Sequence, residues 1–281
     1  MSKTVTIPDI QQAKVEGRKL VMLTAYDYPM GLLADQAEVD MVLVGDSLGM
    51  VVMGLDGTVE VTMEHMVHHI KAVVRGCRGP LVIGDMPFMS YNTSAREAIH
   101  NAGRLMKEGG CDAIKLEGGL NFAPAVESIA KAGIPVQGHI GLTPQTASSL
   151  GGFKMQGKDA AAAMQIIDDA RGLQDAGVFS IVLEAVPAPL GKLVSEAVTV
   201  PIIGIGAGPD VDGQVLVTHD MVGLFDKFVP KFVKQYTQIR TIILEAMKAY
   251  KKDVLDAGFP GPEHSFKMPA ETLEQLKKMI G

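Results

Sequence analysis

The chain has 281 residues, 47% of them hydrophobic and 21% charged, enough apolar material for a large core and unlike a disordered chain. A formal net charge of -6 leaves no excess of cations to pair with a phosphate backbone, which argues against nucleic acid and for a small-molecule partner. Only Cys77 and Cys111 are present, no apolar stretch approaches the roughly 18 residues of a membrane span, and the first ten residues lack the pattern of a signal peptide, so a cytoplasmic location is expected.

In chain order, eight short apolar runs recur that are too short for helices and do not alternate, the pattern of parallel strands buried on both faces. They cover residues 20–24, 41–45, 81–84, 113–117, 136–140, 180–184, 202–206 and 214–217. Between most of them lie segments of helical period, at 63–75, 94–107, 123–132, 159–176 and 190–198. Ser94 with Glu97 reads as a capping box, Pro189 suits a first helical turn, and Gly109, Gly133 and Gly177 read as helix stops. Eight such units predict an α/β fold closed as a (β/α)8 TIM barrel, since open doubly wound sheets usually stop at five or six strands. No linker divides the chain, so one domain over 1–281 is expected.

Two segments fall outside the repeat. Residues 142–158 form a long connection carrying Gly151, Gly152 and Gly157, a candidate lid. After Pro230 a helix is expected with Phe232, Tyr236, Ile239, Ile243, Met247 and Tyr250 on one stripe and Val233, Ile242 and Leu244 off it. The second apolar side suits either a subunit contact or a wide core-facing stripe, and residues 259–281 follow as a C-terminal extension.

Chemistry in such a barrel sits at the C-terminal ends of the strands. There the sequence places Asp46 and Ser47 after strand two, Asp85 on three, Lys115 and Glu117 on four, His139 on five and Glu184 on six. Lys115 and Glu117 are two apart and share a face; Ile114 and Leu116 must pack outward, so the charged pair is expected to point into the mouth. Taken alone, that pair could be no more than a buried ion pair. Asp46, Asp85 and Glu117 are hard oxygen donors on successive strands and suit Mg²⁺ or a similar ion, although a single Asp there could merely cap a helix.

Glu184 ends an apolar run, where loss of solvation would make its carboxylate a better proton acceptor; a solvated loop glutamate is the plain alternative. His139 reads as a substrate-binding group in a supporting role, as a metal ligand or as a core histidine. Three weaker signals are set aside. His65, His68 and His69 read as the outer face of a helix, Gly204, Gly206 and Gly208 lack the G-x-G-x-x-G spacing, and Ser47 lacks a G-x-S-x-G context.

Several ordered motifs resemble the ketopantoate hydroxymethyltransferase family. They are Val-Gly-Asp-Ser-Leu-Gly-Met at 44–50, Gly-Asp-Met-Pro-Phe at 84–88, Ile-Lys-Leu-Glu-Gly-Gly at 114–119, Gly-His-Ile-Gly-Leu-Thr-Pro-Gln at 138–145, Gly-Ile-Gly-Ala-Gly at 204–208 and Asp-Gly-Gln-Val-Leu-Val at 212–217. The resemblance runs from about residue 7 to residue 266 and implies a phosphoenolpyruvate/pyruvate-like barrel. It implies Mg²⁺ on Asp46, Asp85 and Glu117, a 2-oxo acid touched by Asp46, Ser47, Asp85 and Lys115, and Glu184 as proton acceptor. It further implies hydroxymethyl transfer from 5,10-methylenetetrahydrofolate to 3-methyl-2-oxobutanoate through a metal-stabilised enolate, in pantothenate synthesis, by a homo-oligomer that is typically a decamer. Two rival readings stay open: a Schiff-base aldolase with Lys115 as nucleophile, and a metal-dependent C–C lyase that needs no folate. A non-enzymatic binding barrel is a third.

Overall fold

A computed structural model describes residues 4–149 and 151–281. Eight strands, β1 (Leu20–Thr24), β2 (Met41–Val44), β3 (Leu81–Asp85), β4 (Ala113–Glu117), β5 (Val136–Gly141), β6 (Ser180–Glu184), β7 (Ile202–Ile205) and β8 (Gly213–Leu216), pair in parallel in that order. β8 pairs back onto β1, so the sheet closes and leaves no free edge. The expected barrel is the one observed, with every strand within a residue or two of its predicted bounds.

Closure makes two cores. Alternate side chains such as Val42, Val44, Ile114, Leu116, Ile181 and Leu183 point outward and pack against the helices. The others, including Leu20, Met22, Met41, Leu43, Leu81 and Ile83, fill the barrel interior. The helix α1 (Ile7–Val15) contributes Ile10 and Ala13 to that interior cluster and plugs the N-terminal end of the barrel. Sequence periodicity did not reveal α1, because only one short face of it is apolar.

The remaining helices run α2 (Tyr28–Gln36), α3 (Leu48–Val51), α4 (Met63–Gly76), α5 (Ala95–Arg104), α6 (Ala123–Lys131), α7 (Ala160–Asp175), α8 (Ala188–Ala197) and α9 (Thr218–Met221). α2 was also unmarked in the sequence. It sits so close to α4 that a Cβ on Gly76 would stand 2.6 Å from the Tyr28 carbonyl oxygen, so the contact is backbone against backbone and leaves little apolar signature. Ser94 does cap α5 by accepting the Glu97 N–H, but Glu97 does not return the bond; its carboxylate accepts from Thr93 instead, so half of the expected box is present. The helix then loosens into a π turn (Leu105–Gly109), and the left-handed residue that ends it is Gly110, one later than expected.

The C-terminal part departs further from expectation. The segment 230–238 is not helical: Tyr236 N–H donates to the Met221 carbonyl, and Phe232 packs over Gly206. α10 begins only at Ile239 and runs Ile239–Leu255, followed by α11 (Ala270–Ile280). No residue of either helix is buried, so the stripe does not face the barrel core. Among the described residues no helix is long and apolar enough to cross a membrane.

Candidate active site

Parallel register puts the polar residues in contact. Asp85 on β3 is level with Lys115 on β4, and Glu117 on β4 is level with His139 on β5. Each pair therefore meets across one strand spacing, inside the barrel, as the alternation of Lys115 and Glu117 predicts. Lys115 Nζ lies 2.8 Å from Asp85 Oδ1 and 4.0 Å from Glu117 Oε1. His139 bridges two carboxylates, with Nδ1 at 3.2 Å from Glu117 Oε1 and Nε2 at 3.2 Å from Glu184 Oε2. Asp46, just past β2, donates its backbone N–H to Asp85 Oδ2 at 3.1 Å.

Above this layer opens a cavity of about 910 Å³, within the range of small-molecule sites. Asp46, Ser47 and Glu184 line it, while Asp85, Lys115, Glu117 and His139 lie buried beneath. Glu184 is 15% exposed and is less enclosed than its apolar strand suggests. The loop 142–158 contributes Leu142, Pro144, Phe153, Lys154 and Met155 to the wall, the position expected of a lid. Its Gln156 N–H donates to the carbonyl of Ala185, a non-glycine residue at φ 49° next to Glu184, so loop and β6 terminus are tied at the site.

The ketopantoate hydroxymethyltransferase family profile matches residues 4–262. This chain belongs to that family. The enzyme named 3-methyl-2-oxobutanoate hydroxymethyltransferase from Moorella thermoacetica is 57% identical over 94% of this chain and 98% of its own length. Those from Syntrophobacter fumaroxidans and Heliobacterium modesticaldum are 57% and 55% identical, over 100% and 96% of this chain and 98% of each relative. The fold is shared more widely: a phosphonopyruvate hydrolase superposes with a TM-score of 0.61 at 13% identity, covering 100% of this chain and 97% of its own. A 2,3-dimethylmalate lyase of the PEP mutase/isocitrate lyase superfamily gives 0.57 at 14%, covering 98% and 96%. As a member of the ketopantoate hydroxymethyltransferase family, the protein is an enzyme, a hydroxymethyl transferase.

Sequence reasoning missed the group that ties these side chains together. Gln145, on the 3₁₀ turn Pro144–Thr146 at the start of the lid loop, donates from Nε2 to Asp46 Oδ2 at 2.9 Å and to the Met86 carbonyl at 2.9 Å. Its backbone N–H donates to Glu117 Oε2 at 3.0 Å, and its Oε1 accepts from the Tyr91 hydroxyl at 2.7 Å. Gln145 closes the motif at 138–145, but amides carry no charge to single them out. Replacing it with Leu strands a buried oxygen of Asp46, so urea unfolding is expected to show a loss of about 1–3 kcal/mol. Tyr26 was missed as well; its hydroxyl is 2.8 Å from Ser47 Oγ and orients that group at the cavity edge. The helical histidines divide: His68 is exposed, His65 caps α4, and His69 Nδ1 lies 2.6 Å from the Tyr26 carbonyl oxygen.

The site carries too much negative charge. Burial raises the Asp46 carboxyl well above its usual range, and repulsion from Asp85 and Glu117 adds to it. Burial likewise raises Asp85, against the pull of Lys115. Burial alone would raise Glu117, but His139 and Lys115 win and hold it low. Lys115 shows the reverse balance: burial opposes its charge, yet Asp85, Glu117 and Asp46 keep it above its ordinary value. Burial and mutual repulsion thus disfavour the charged forms of Asp46 and Asp85, and a divalent cation bound between them would relieve both.

The donor chemistry fits such an ion. Asp85 Oδ1 and Glu117 Oε1 are buried and accept no aligned hydrogen bond, although each faces a cation. Among the described residues, no three His, Cys, Asp or Glu side chains already stand close enough to hold a metal. Asp46 and Asp85 are joined by the bond from the Asp46 N–H, while Asp85 and Glu117 each have both oxygens facing a neighbour, Lys115 and Asp46 for the one and Gln145 and His139 for the other.

Burial and Lys115 both oppose protonation of His139, but Glu117 and Glu184 prevail and lift it from 6.5 to about 9. The stability this gives is complete below the unfolded value of 6.5 and is lost as pH rises through about 9. Melting temperature is therefore expected to fall across that window, and His139→Gln to flatten the slope.

Proposed function

We propose that the protein transfers a hydroxymethyl group from 5,10-methylenetetrahydrofolate to 3-methyl-2-oxobutanoate, forming ketopantoate by way of a C3 carbanion equivalent, within pantothenate synthesis. The observation that carries the mechanism is the layer of Asp46, Asp85, Lys115 and Glu117 beneath a cavity on whose wall Glu184 stands. C3 of the oxo acid bears two methyl groups and one poorly acidic hydrogen, so the negative charge that develops on its removal must be stabilised. A divalent cation held by Asp46 and Asp85, with Glu117 directly or through water, would supply Lewis-acid stabilisation at the keto oxygen, worth several kcal/mol.

The residues do the rest. Lys115 places positive charge under the substrate oxygens, and Ser47, oriented by Tyr26, offers a hydrogen bond to the substrate carboxylate. Glu184 takes the C3 proton, and His139 anchors one of its oxygens. The donor methylene is bonded to two folate nitrogens: one of these bonds breaks as the carbanion carbon bonds to the methylene, the other breaks as water supplies the hydroxyl oxygen, and the C3 proton and one proton of water end on the two nitrogens of tetrahydrofolate. The lid loop, tied to the site through Gln145, keeps solvent from the reacting carbon.

The Schiff-base alternative has the observation against it, since Lys115 is paired with Asp85 and held above its ordinary pKa, which makes it an ammonium and a poor nucleophile. The assembly we propose is a homo-oligomer, with the exposed apolar residues of α10, such as Ile242, Met247 and Tyr250, at its subunit contacts. Mixing both substrates with the enzyme should give ketopantoate. Omitting the folate should give no product, and borohydride with the oxo acid should trap no lysine adduct; product without folate, or a trapped adduct, would select one of the rivals.

A further inference from the structure

The cavity exceeds what a five-carbon oxo acid requires, and one side of it takes no part in handling that acid. Asp220, in α9, is buried with its Oδ1 bonded to nothing, and Thr58, between α3 and α4, is buried with its hydroxyl equally unpartnered. Both line the cavity. Buried polar atoms are nearly always bonded, and exceptions in a cavity are candidates for completion by a ligand. Phe153, Phe225, Phe228 and Phe232 line the same cavity, and Phe153 and Phe228 are more than half exposed, so flat apolar faces lie open in the space that holds the two polar groups.

Tyr26 links this side to the catalytic one. Its ring lies 5.2 Å from that of His219, the neighbour of Asp220, while its hydroxyl reaches Ser47, and both Asp220 and Asp46 are near enough to raise its pKa. A ligand resting on Asp220 would therefore stand next to the oxo acid, where a second substrate has to be.

Aromatic faces with one carboxylate and one hydroxyl suit a planar heterocycle that presents two N–H donors side by side. The 2-amino group and adjacent ring N–H of a reduced pterin make that edge, and a carboxylate accepts both at once in the manner it accepts a guanidinium. We propose that Asp220 and Thr58 bind the pterin edge of the one-carbon donor, with the phenylalanines covering its ring. This rests on the reading of folate as the donor.

The test is calorimetric titration of tetrahydrofolate into the wild type and into the Asp220→Asn and Thr58→Val variants, the second being isosteric and serving where the first fails to fold. Loss of a charge-assisted bond should weaken tetrahydrofolate binding about tenfold or more in Asp220→Asn, and Thr58→Val should weaken it less. Binding of 3-methyl-2-oxobutanoate should be unchanged in both. A folate analogue lacking the 2-amino group should bind the wild type more weakly than tetrahydrofolate does, and Asp220→Asn should no longer distinguish the two. If the wild type binds no tetrahydrofolate, the donor reading and this subsite fall together. If it binds and the variants bind equally well, or if the variants lose oxo-acid binding as well, the subsite alone is overturned.

Discussion

Replacing Glu184 with Gln is expected to lower turnover by about 10² to 10⁴, the usual loss on removing a general base. Gln keeps the size and reach of the side chain, and the His139 contact can persist as a hydrogen bond, so the cavity wall is retained. The loss should fall on kcat with little change in the KM for either substrate, because the proton transfer occurs only on the way to the transition state. Calorimetry with 3-methyl-2-oxobutanoate should give a dissociation constant near that of wild type. A variant that binds the oxo acid poorly would instead make Glu184 a binding residue.

Chelation is expected to have an effect at least as large. With Asp46 and Asp85 both resisting ionisation where they stand, removing the divalent ion should abolish turnover, and adding Mg²⁺ back should restore it. Asp85→Asn should reproduce the chelated state and resist rescue by Mg²⁺. It also takes the charge from the 2.8 Å partner of Lys115, and because Glu117 still faces the ammonium the accompanying loss of stability is expected to stay at about 1–3 kcal/mol. Separating the two effects requires a melting curve of the variant and a direct titration of Mg²⁺. Full activity of the wild type in metal-free buffer would contradict the assignment of Asp46 and Asp85.

The barrel was legible in the sequence because strands buried on both faces have no choice but to be continuously apolar, and because glycines punctuate the helix ends. The candidate site was legible for a related reason: charged residues such as Asp85, Lys115 and Glu117 at the ends of those runs break a pattern that otherwise excludes them. What stayed hidden lacks such contrast. α2 packs through Gly76 and shows little periodicity. Gln145, Tyr26 and Tyr91 act through neutral hydrogen bonds formed across distant parts of the chain, which no local pattern records. The start of α10 was misplaced because the apolar spacing of 230–238 is helical, whereas its backbone is held by α9 and its Phe232 by the cavity. Glu184 was expected in apolar surroundings, but the strand that carries it ends at the cavity and leaves its carboxyl on the wall.

The proposed mechanism generates carbon acidity within the oxo-acid half of the site, by Glu184 above a buried cationic and carboxylate layer, before the donor is engaged. Proton NMR of 3-methyl-2-oxobutanoate in deuterated water, with enzyme and Mg²⁺ but no folate, measures this directly. The C3 proton signal of the oxo acid should be lost to exchange at an enzyme-dependent rate, and the exchange should stop with chelator and in Glu184→Gln. Absence of exchange until folate is added would overturn this order of events and make donor binding the gate to enolisation, and exchange that survives in Glu184→Gln would move the base to another group and leave Glu184 to the folate half of the reaction.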